Sequence, residues 1–439
     1  MDWVSFGLLL SDHMLLYSGI LIASIIFYVS LFRKFYLSVL DPFMFSLLYS
    51  VFGFSVVWFL VCTDNINSRY LASYLFTQVA FWAGLFTFRP LKKQQVMAPA
   101  KMWLLEDQDI LEKSLFIVSS GIYIAAQLLS YKVIGIPLLI GSHIDLYNGS
   151  GGWGLLGRLL DIVKSCAIFM LIGFLFKRQS SLFFHVYKYF FLLIVLVFFA
   201  LAGSKGEFMA LGFLVFCFLL LNANRLKAAM MGMRKLEFII IGAALCFAFF
   251  TIMVLPDSEN IGYSNTGYFA FRLVSSGDAY FFAYPNGNIE QISGAHPFLA
   301  LFGDLFSTVR IIPRDQQPQV LGLQLFRMFS DMDVITGPNA RQNVFGYVYF
   351  GFFGCIIFSY IIGFTLGIVR NKLFYLLRTN IFGQLAFVYL YLNLSAIETD
   401  PPMAISNLEN VLLIFPFVFI ISIFFFLLAR KNIPLRQLT

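Results

Sequence analysis

The sequence predicts an all-α, polytopic integral membrane protein, and three observations carry that expectation. Of 439 residues, 60% are hydrophobic and 12% charged, where a soluble domain carries roughly a quarter charged residues. The mean hydropathy is +0.83. The apolar residues also come in runs near the roughly 20 that cross about 30 Å of hydrocarbon as a helix. No period-two alternation suggests a barrel, so each run must satisfy its own backbone as helix. The net charge of +7 does not point to nucleic acid, because the basic residues sit in small groups between apolar runs, the pattern of membrane topology.

Eleven runs read as spans, at 14–32, 42–62, 70–88, 114–134, 155–176, 187–202, 208–221, 238–255, 344–369, 381–396 and 411–429. The first has neither a basic leader nor a small-residue cleavage site and reads as a retained span. Twenty of the thirty basic residues, from Arg33 and Lys34 to Arg370, Lys372, Arg378 and the final Arg430, Lys431 and Arg436, fall in one alternating set of connections. That set is expected in the cytoplasm, with the N-terminus outside and the C-terminus inside. Cys62, Cys166, Cys217, Cys246 and Cys355 all lie in apolar runs, so no disulfide framework or Cys-based metal site is expected. No internal repeat is visible, which weakens an inverted-repeat transporter reading.

The chain therefore divides into a first bundle at 1–255, a large outer loop at 256–343 and three further spans at 344–439. The loop is rich in aromatic and aliphatic residues, with a turn at Tyr284-Pro285-Asn286-Gly287-Asn288 and amphipathic runs at 298–312 and 321–328. Such a composition predicts short helices folded over the outer mouth rather than disorder. A smaller outer loop spans 135–154.

Ionisable residues inside spans mark candidate sites. Arg158, Asp161 and Lys164 follow at i, i+3 and i+6, a stripe on one helix face that serves an anion or neutralises itself. Gly203-Ser204-Lys205-Gly206-Glu207 joins short spans, so it could lie in a protein-lined pit where free backbone N–H groups and Lys205 meet a phosphate. The plain alternative is a hairpin turn with Lys205 and Glu207 paired. The long loop contains Arg272, Arg310, Arg314, Arg327 and Arg341 and no lysine; arginine suits bidentate grip on phosphate oxygens. Asp278, His296 and, in the smaller loop, His143 are the candidate bases. Asp331-Met332-Asp333 has the form of a divalent-cation pair, a spacing common by chance. P-loop, dinucleotide-binding, H-E-x-x-H and nucleophile-elbow patterns are absent, and neither metal nor cofactor is expected.

These features together resemble the bacterial O-antigen (oligosaccharide repeat-unit) polymerases of the Wzy type. The matching stretches are Gly135-Ile136-Pro137-Leu138-Leu139 with the glycine-rich run at 149–154 and Arg158 after it, Gly203-Ser204-Lys205-Gly206, and Arg272 to Asp278. Nearest to the family is the loop exit, Gly337-Pro338-Asn339-Ala340-Arg341 followed by Gly346-Tyr347-Val348-Tyr349-Phe350-Gly351. Some members carry a glycine eleven residues after an outer-loop arginine, a spacing this chain lacks. The resemblance implies metal-independent glycosyl transfer at the periplasmic face of the inner membrane. A glycan on undecaprenyl diphosphate is the donor and a lipid-linked repeat unit the acceptor, with membrane lipids and a chain-length regulator as partners. Arg272, Lys205, Arg341, Arg158, Lys164, Arg310 and Arg314 would bind the diphosphate, and Asp278, His296 or His143 would accept the proton. An O-antigen ligase or a lipid-linked oligosaccharide flippase are the alternatives.

Overall fold

The computed structural model describes residues 1–98, 108–140, 154–177, 181–202, 206–233, 235–242, 246, 274–313, 316–329 and 337–431. They form an all-α membrane protein. Its principal helices are α1 (Trp3–Asp12), α2 (Met14–Phe32), α3 (Pro42–Cys62), α4 (Ser68–Phe86), α5 (Gln108–Val133), α6 (Gly154–Phe176), α7 (Leu182–Leu201), α8 (Gly206–Leu221), α9 (Asp278–Ala283), α10 (Pro297–Thr308), α11 (Leu321–Arg327), α12 (Gln342–Ile368), α13 (Ile381–Ser395) and α14 (Pro401–Lys431). Among the described residues, seven helical segments are long and apolar enough to cross a membrane. Most of the 238–255 run, expected as a span, lies outside the described residues. α4 is not among the seven; Arg69 near its start and Ser73, Thr77 and Gln78 lower its hydropathy, and the last three are buried in protein.

Two compact units share the chain. One gathers Met1–Lys92, Ser258–Phe374 and Leu390–Leu408; the other gathers Lys93–Asp257, Tyr375–Tyr389 and Glu409–Thr439. In the first, the described part of the long loop packs onto the opening helices rather than standing apart. Phe281 on α9 stacks on Phe6 of α1 at 4.1 Å between ring centroids, and Tyr280 meets Tyr74 of α4 edge-on at 5.2 Å.

The expected span at 344–369 is not one straight helix. At Gly351 the backbone leaves helical geometry, with φ 67° and ψ −175°. Phe345 and Phe350 then both lie against Phe358, at 5.6 and 5.0 Å. Thirteen residues of straight helix would hold Phe345 and Phe358 about 20 Å apart, so α12 is a helical hairpin. Residues 342–350 form a short limb and the residues after Gly351 a long one.

The two limbs clasp α4. The long limb runs parallel to it: Ser73 meets Cys355 at 3.5 Å, and further along Gly363 and Gly367 press on Phe81 and Leu85. A Cβ on Gly363 would stand 2.0 Å from the Phe81 carbonyl oxygen, and one on Gly84 2.3 Å from that of Tyr360. This is the small-residue packing that membrane helices use where the hydrophobic effect cannot drive association. The short limb runs the other way, with Tyr347 against Tyr70 at 5.8 Å and Asn343 bonded to Thr77.

Arg370, expected among the basic residues that face the cytoplasm, is instead 1% exposed. It follows the long limb in a π-turn and pairs with Asp41 at 2.7 Å. Asp41 also caps α3 through Phe43 N–H (3.1 Å) and accepts a bond from the Tyr391 hydroxyl. The burial follows from that pairing: one carboxylate satisfies a helix end, an arginine and a tyrosine, so the charge needs no water.

In the second unit α6 packs mainly on α5 and also meets α7 and α8. The stripe on α6 pairs within its own helix, Lys164 with Asp161, and also across to α8. Lys164 donates to both carboxylate oxygens of Glu207 in the first turn of α8, at 2.9 and 3.2 Å, and lies 3.7 Å from Asp161. Thus the two intramembrane charge clusters of the sequence meet through Lys164 and Glu207.

The glycine contacts generate a test. Gly363→Leu should lower the thermal unfolding midpoint of the detergent-solubilised protein by several degrees, an overpacking cost of about 1–3 kcal/mol. Gly19→Ala, at a position with nothing within 4 Å of the new methyl, should leave it unchanged.

Candidate functional site

The short limb of α12 starts deep inside the first unit. Asn343 donates to the Thr77 hydroxyl (2.8 Å) and the Gln78 side-chain carbonyl (3.3 Å). Those residues stand midway along the 19-residue α4, about 14 Å from its ends. The chain leading into the limb therefore descends to the middle of the helices before turning back.

Three connections meet at that depth. Residues 339–343 supply Arg341, Gln342 and Asn343. The turn before α9 supplies Ser276 and Asp278, and the turn between α13 and α14 supplies Glu398 and Asp400. Glu398 accepts from Ser50 of α3 at 2.7 Å and from Gln78 at 3.0 Å, and its backbone carbonyl accepts from Gln342 N–H at 3.0 Å. Tyr280 donates to Asn343 at 2.7 Å. Asp400 begins α14 by accepting from Met403 N–H at 3.1 Å. Two missing side chains allow this convergence: a Cβ on Gly277 would be 2.7 Å from Val56, and one on Gly53 2.9 Å from the Tyr280 ring.

Arg341 lies at the centre and is 1% exposed. Its guanidinium donates to the main-chain carbonyls of Tyr49 (3.2 Å) and Ser276. Among the described residues it makes no ion pair. Its Nε is buried without a hydrogen-bond partner, as are both side-chain polar atoms of fully buried Gln342 and the hydroxyl of Ser46 on α3. Burying a cation without a contacting anion is costly, and each orphaned polar atom adds a desolvation penalty of about 1–3 kcal/mol. The first N–H groups of the limb add partial positive charge at the same place. The arrangement can stabilise negative charge.

Asp278 and Asp400 are partly covered here, whereas Glu398 is buried. Burial pushes the Asp278 carboxyl up to about 7, while the charge of Arg341 and the Ala279 N–H (2.8 Å) hold it lower than burial alone would. Burial also raises Glu398, and bonds from Gln78 and Ser50 oppose the rise.

Of the candidate residues from sequence, Arg341 and Asp278 meet in this site. Arg310 is exposed in a left-handed turn after α10, and His296 is exposed and left-handed just before it. Lys164 is matched by Glu207, and Arg158 is half-buried on α6. His143, Lys205, Arg272, Arg314 and the Asp331–Asp333 pair lie outside the described residues. Sequence reading missed Glu398, Gln342, Asn343, Gln78, Ser50 and Ser46. One signal was present: α4 is polar at Ser73, Thr77 and Gln78, four and one residues apart on a face.

If the orphaned atoms await a guest, the empty protein should gain stability when they are replaced by hydrocarbon. Gln342→Met is expected to raise the unfolding midpoint, with about 1–3 kcal/mol recovered; an unchanged or lower midpoint would show that the amide is already satisfied.

No family model matches the chain, and neither characterised proteins nor solved structures give a match.

Proposed function

We propose that the protein polymerises lipid-linked oligosaccharide repeat units, as the resemblance to Wzy-type O-antigen polymerases implies, and that residues 341–343 hold the diphosphate of the donor. The observation that carries this reading is the buried guanidinium of Arg341, without an ion pair among the described residues, beside the amide of Gln342, unpartnered among them, at the start of a half-helix. In this reading the chain crosses the bacterial inner membrane eleven times. Its N-terminus and long loop are periplasmic and its C-terminus is cytoplasmic, the arrangement that the distribution of lysine and arginine favours.

The chemistry balances with few groups. A hydroxyl at the non-reducing end of the acceptor attacks the anomeric carbon of the donor sugar. The bond from that carbon to the phosphate oxygen breaks, and undecaprenyl diphosphate leaves with the electron pair. Negative charge grows on the diphosphate as it departs, and fixed donors aimed at it lower the barrier. Arg341 and the N–H groups heading the limb are such donors. The acceptor proton passes to Asp278, whose titration near neutrality suits a general base. Lys164, already balanced by Glu207, takes no part.

Deleting the gene and running extracted lipopolysaccharide on a gel tests the reaction class. A polymerase leaves core plus one repeat unit, whereas a ligase leaves bare core. Arg341→Lys and Gln342→Met, expressed at wild-type levels, should both cut polymer formation by about 10²–10³, the usual effect of losing a donor aimed at developing charge. Full ladders from both variants would remove this site from the mechanism.

The pH dependence has a definite sign. The base must be ionised, so polymer formation by purified protein should rise with pH through a midpoint of about 7. Because Arg341 lowers that value, Arg341→Gln should move the midpoint of its residual activity upward; a downward shift or none would exclude Asp278 as the base.

A further inference from the structure

The second unit contains a cavity of about 100 Å³ where the ends of four helices converge: the start of α5, the end of α6, the end of α8 and the start of α13. It reaches from Lys177 down to Phe169, eight residues of α6 or about 12 Å. Its floor is apolar, formed by Phe169, Phe174 and Phe218. Phe176 stacks on Phe218 at 5.8 Å and is 42% exposed, so the floor continues onto the outer surface of the helices.

The mouth is polar, and one of its two cations has no ion pair among the described residues. Lys177 pairs with Glu112 and, at 3.3 Å, with Asp109. Arg225 at the other side is exposed and has no ion-pair partner among the described residues. There is also an unanswered acceptor. Gln108 spends its amide N–H on Glu112 at 2.9 Å, and its side-chain carbonyl is buried without a donor among the described residues.

A ligand that fits these features carries one negative charge, at least one hydroxyl and a hydrocarbon body. We infer that the cavity receives the headgroup of a phosphatidylglycerol-type phospholipid. The phosphodiester faces Arg225, a glycerol hydroxyl donates to Gln108, and the acyl chains follow Phe176 along the outer surface. Basic pockets at helix ends are where anionic lipids bind membrane proteins. An isolated inorganic phosphate would use Arg225 but would waste the aromatic floor. This site is independent of the polymerisation reading and stands or falls without it.

The test uses full-length protein in phosphatidylcholine nanodiscs, with displacement of a fluorescent phosphatidylglycerol as the readout. Unlabelled phosphatidylglycerol should compete strongly, phosphatidic acid more weakly for want of a headgroup hydroxyl, and phosphatidylcholine and inorganic phosphate least. Arg225→Gln should weaken binding about tenfold, the loss of one charge-assisted contact, with partial rescue by Arg225→Lys. Lys227→Gln, two residues away and outside the cavity, should change nothing. Equal competition by phosphatidylcholine, phosphatidic acid or free phosphate would overturn the assignment, and so would equal weakening by Lys227→Gln.

Discussion

A guanidinium held midway along a helix in a lipid-embedded protein constrains everything around it. Arg341 cannot be hydrated there, and no carboxylate among the described residues contacts it, so carbonyls must be brought to it. That requirement accounts for the glycines at 53 and 277, which let a loop turn lie directly on α3. It also accounts for the hairpin at Gly351, because only a chain that descends and turns back can deliver residue 341 to that depth from a loop. The clasp of both limbs around α4 then supplies the packing that holds the turn in place.

The hydrophobic runs were legible because lipid enforces a single rule: α2 and α3 begin and end where the apolar composition does, and α6, α8 and α13 do so within two residues. The loop exit was legible as a motif. Its depth was not, since Gln342-Asn343-Val344 at the head of an apolar run looks the same whether it enters lipid or protein. The break at Gly351 was hidden for a similar reason. A glycine within Phe-rich sequence gives no sign of a reversal until Phe345 and Phe358 are seen in contact. Counting basic residues also has a blind spot, illustrated by Arg370: the count registers charge but not the Asp41 that absorbs it 329 positions away.

The Arg341 cluster of the first unit and the Lys164 cluster of the second treat charge in opposite ways. In the second, Lys164 is met directly by Glu207 and Asp161, an arrangement complete in itself. In the first, Arg341 is met by carbonyls, with Asp278, Glu398 and Asp400 near enough to feel its field but not to neutralise it by contact. A saturated cluster holds helices together. An unsaturated one keeps free energy available for a charged guest, and the difference separates the two roles without reference to any relative.

The brevity of α13 has a consequence for the surrounding bilayer. Fifteen residues reach only about 22 Å, short of the roughly 30 Å of hydrocarbon outside. Beside such an element the leaflet must dimple or water must follow the chain inward. Under the proposed reaction, an isoprenoid anchored in that depression would carry its head below the general surface, level with the lipids beside it, without the anchor leaving its own membrane.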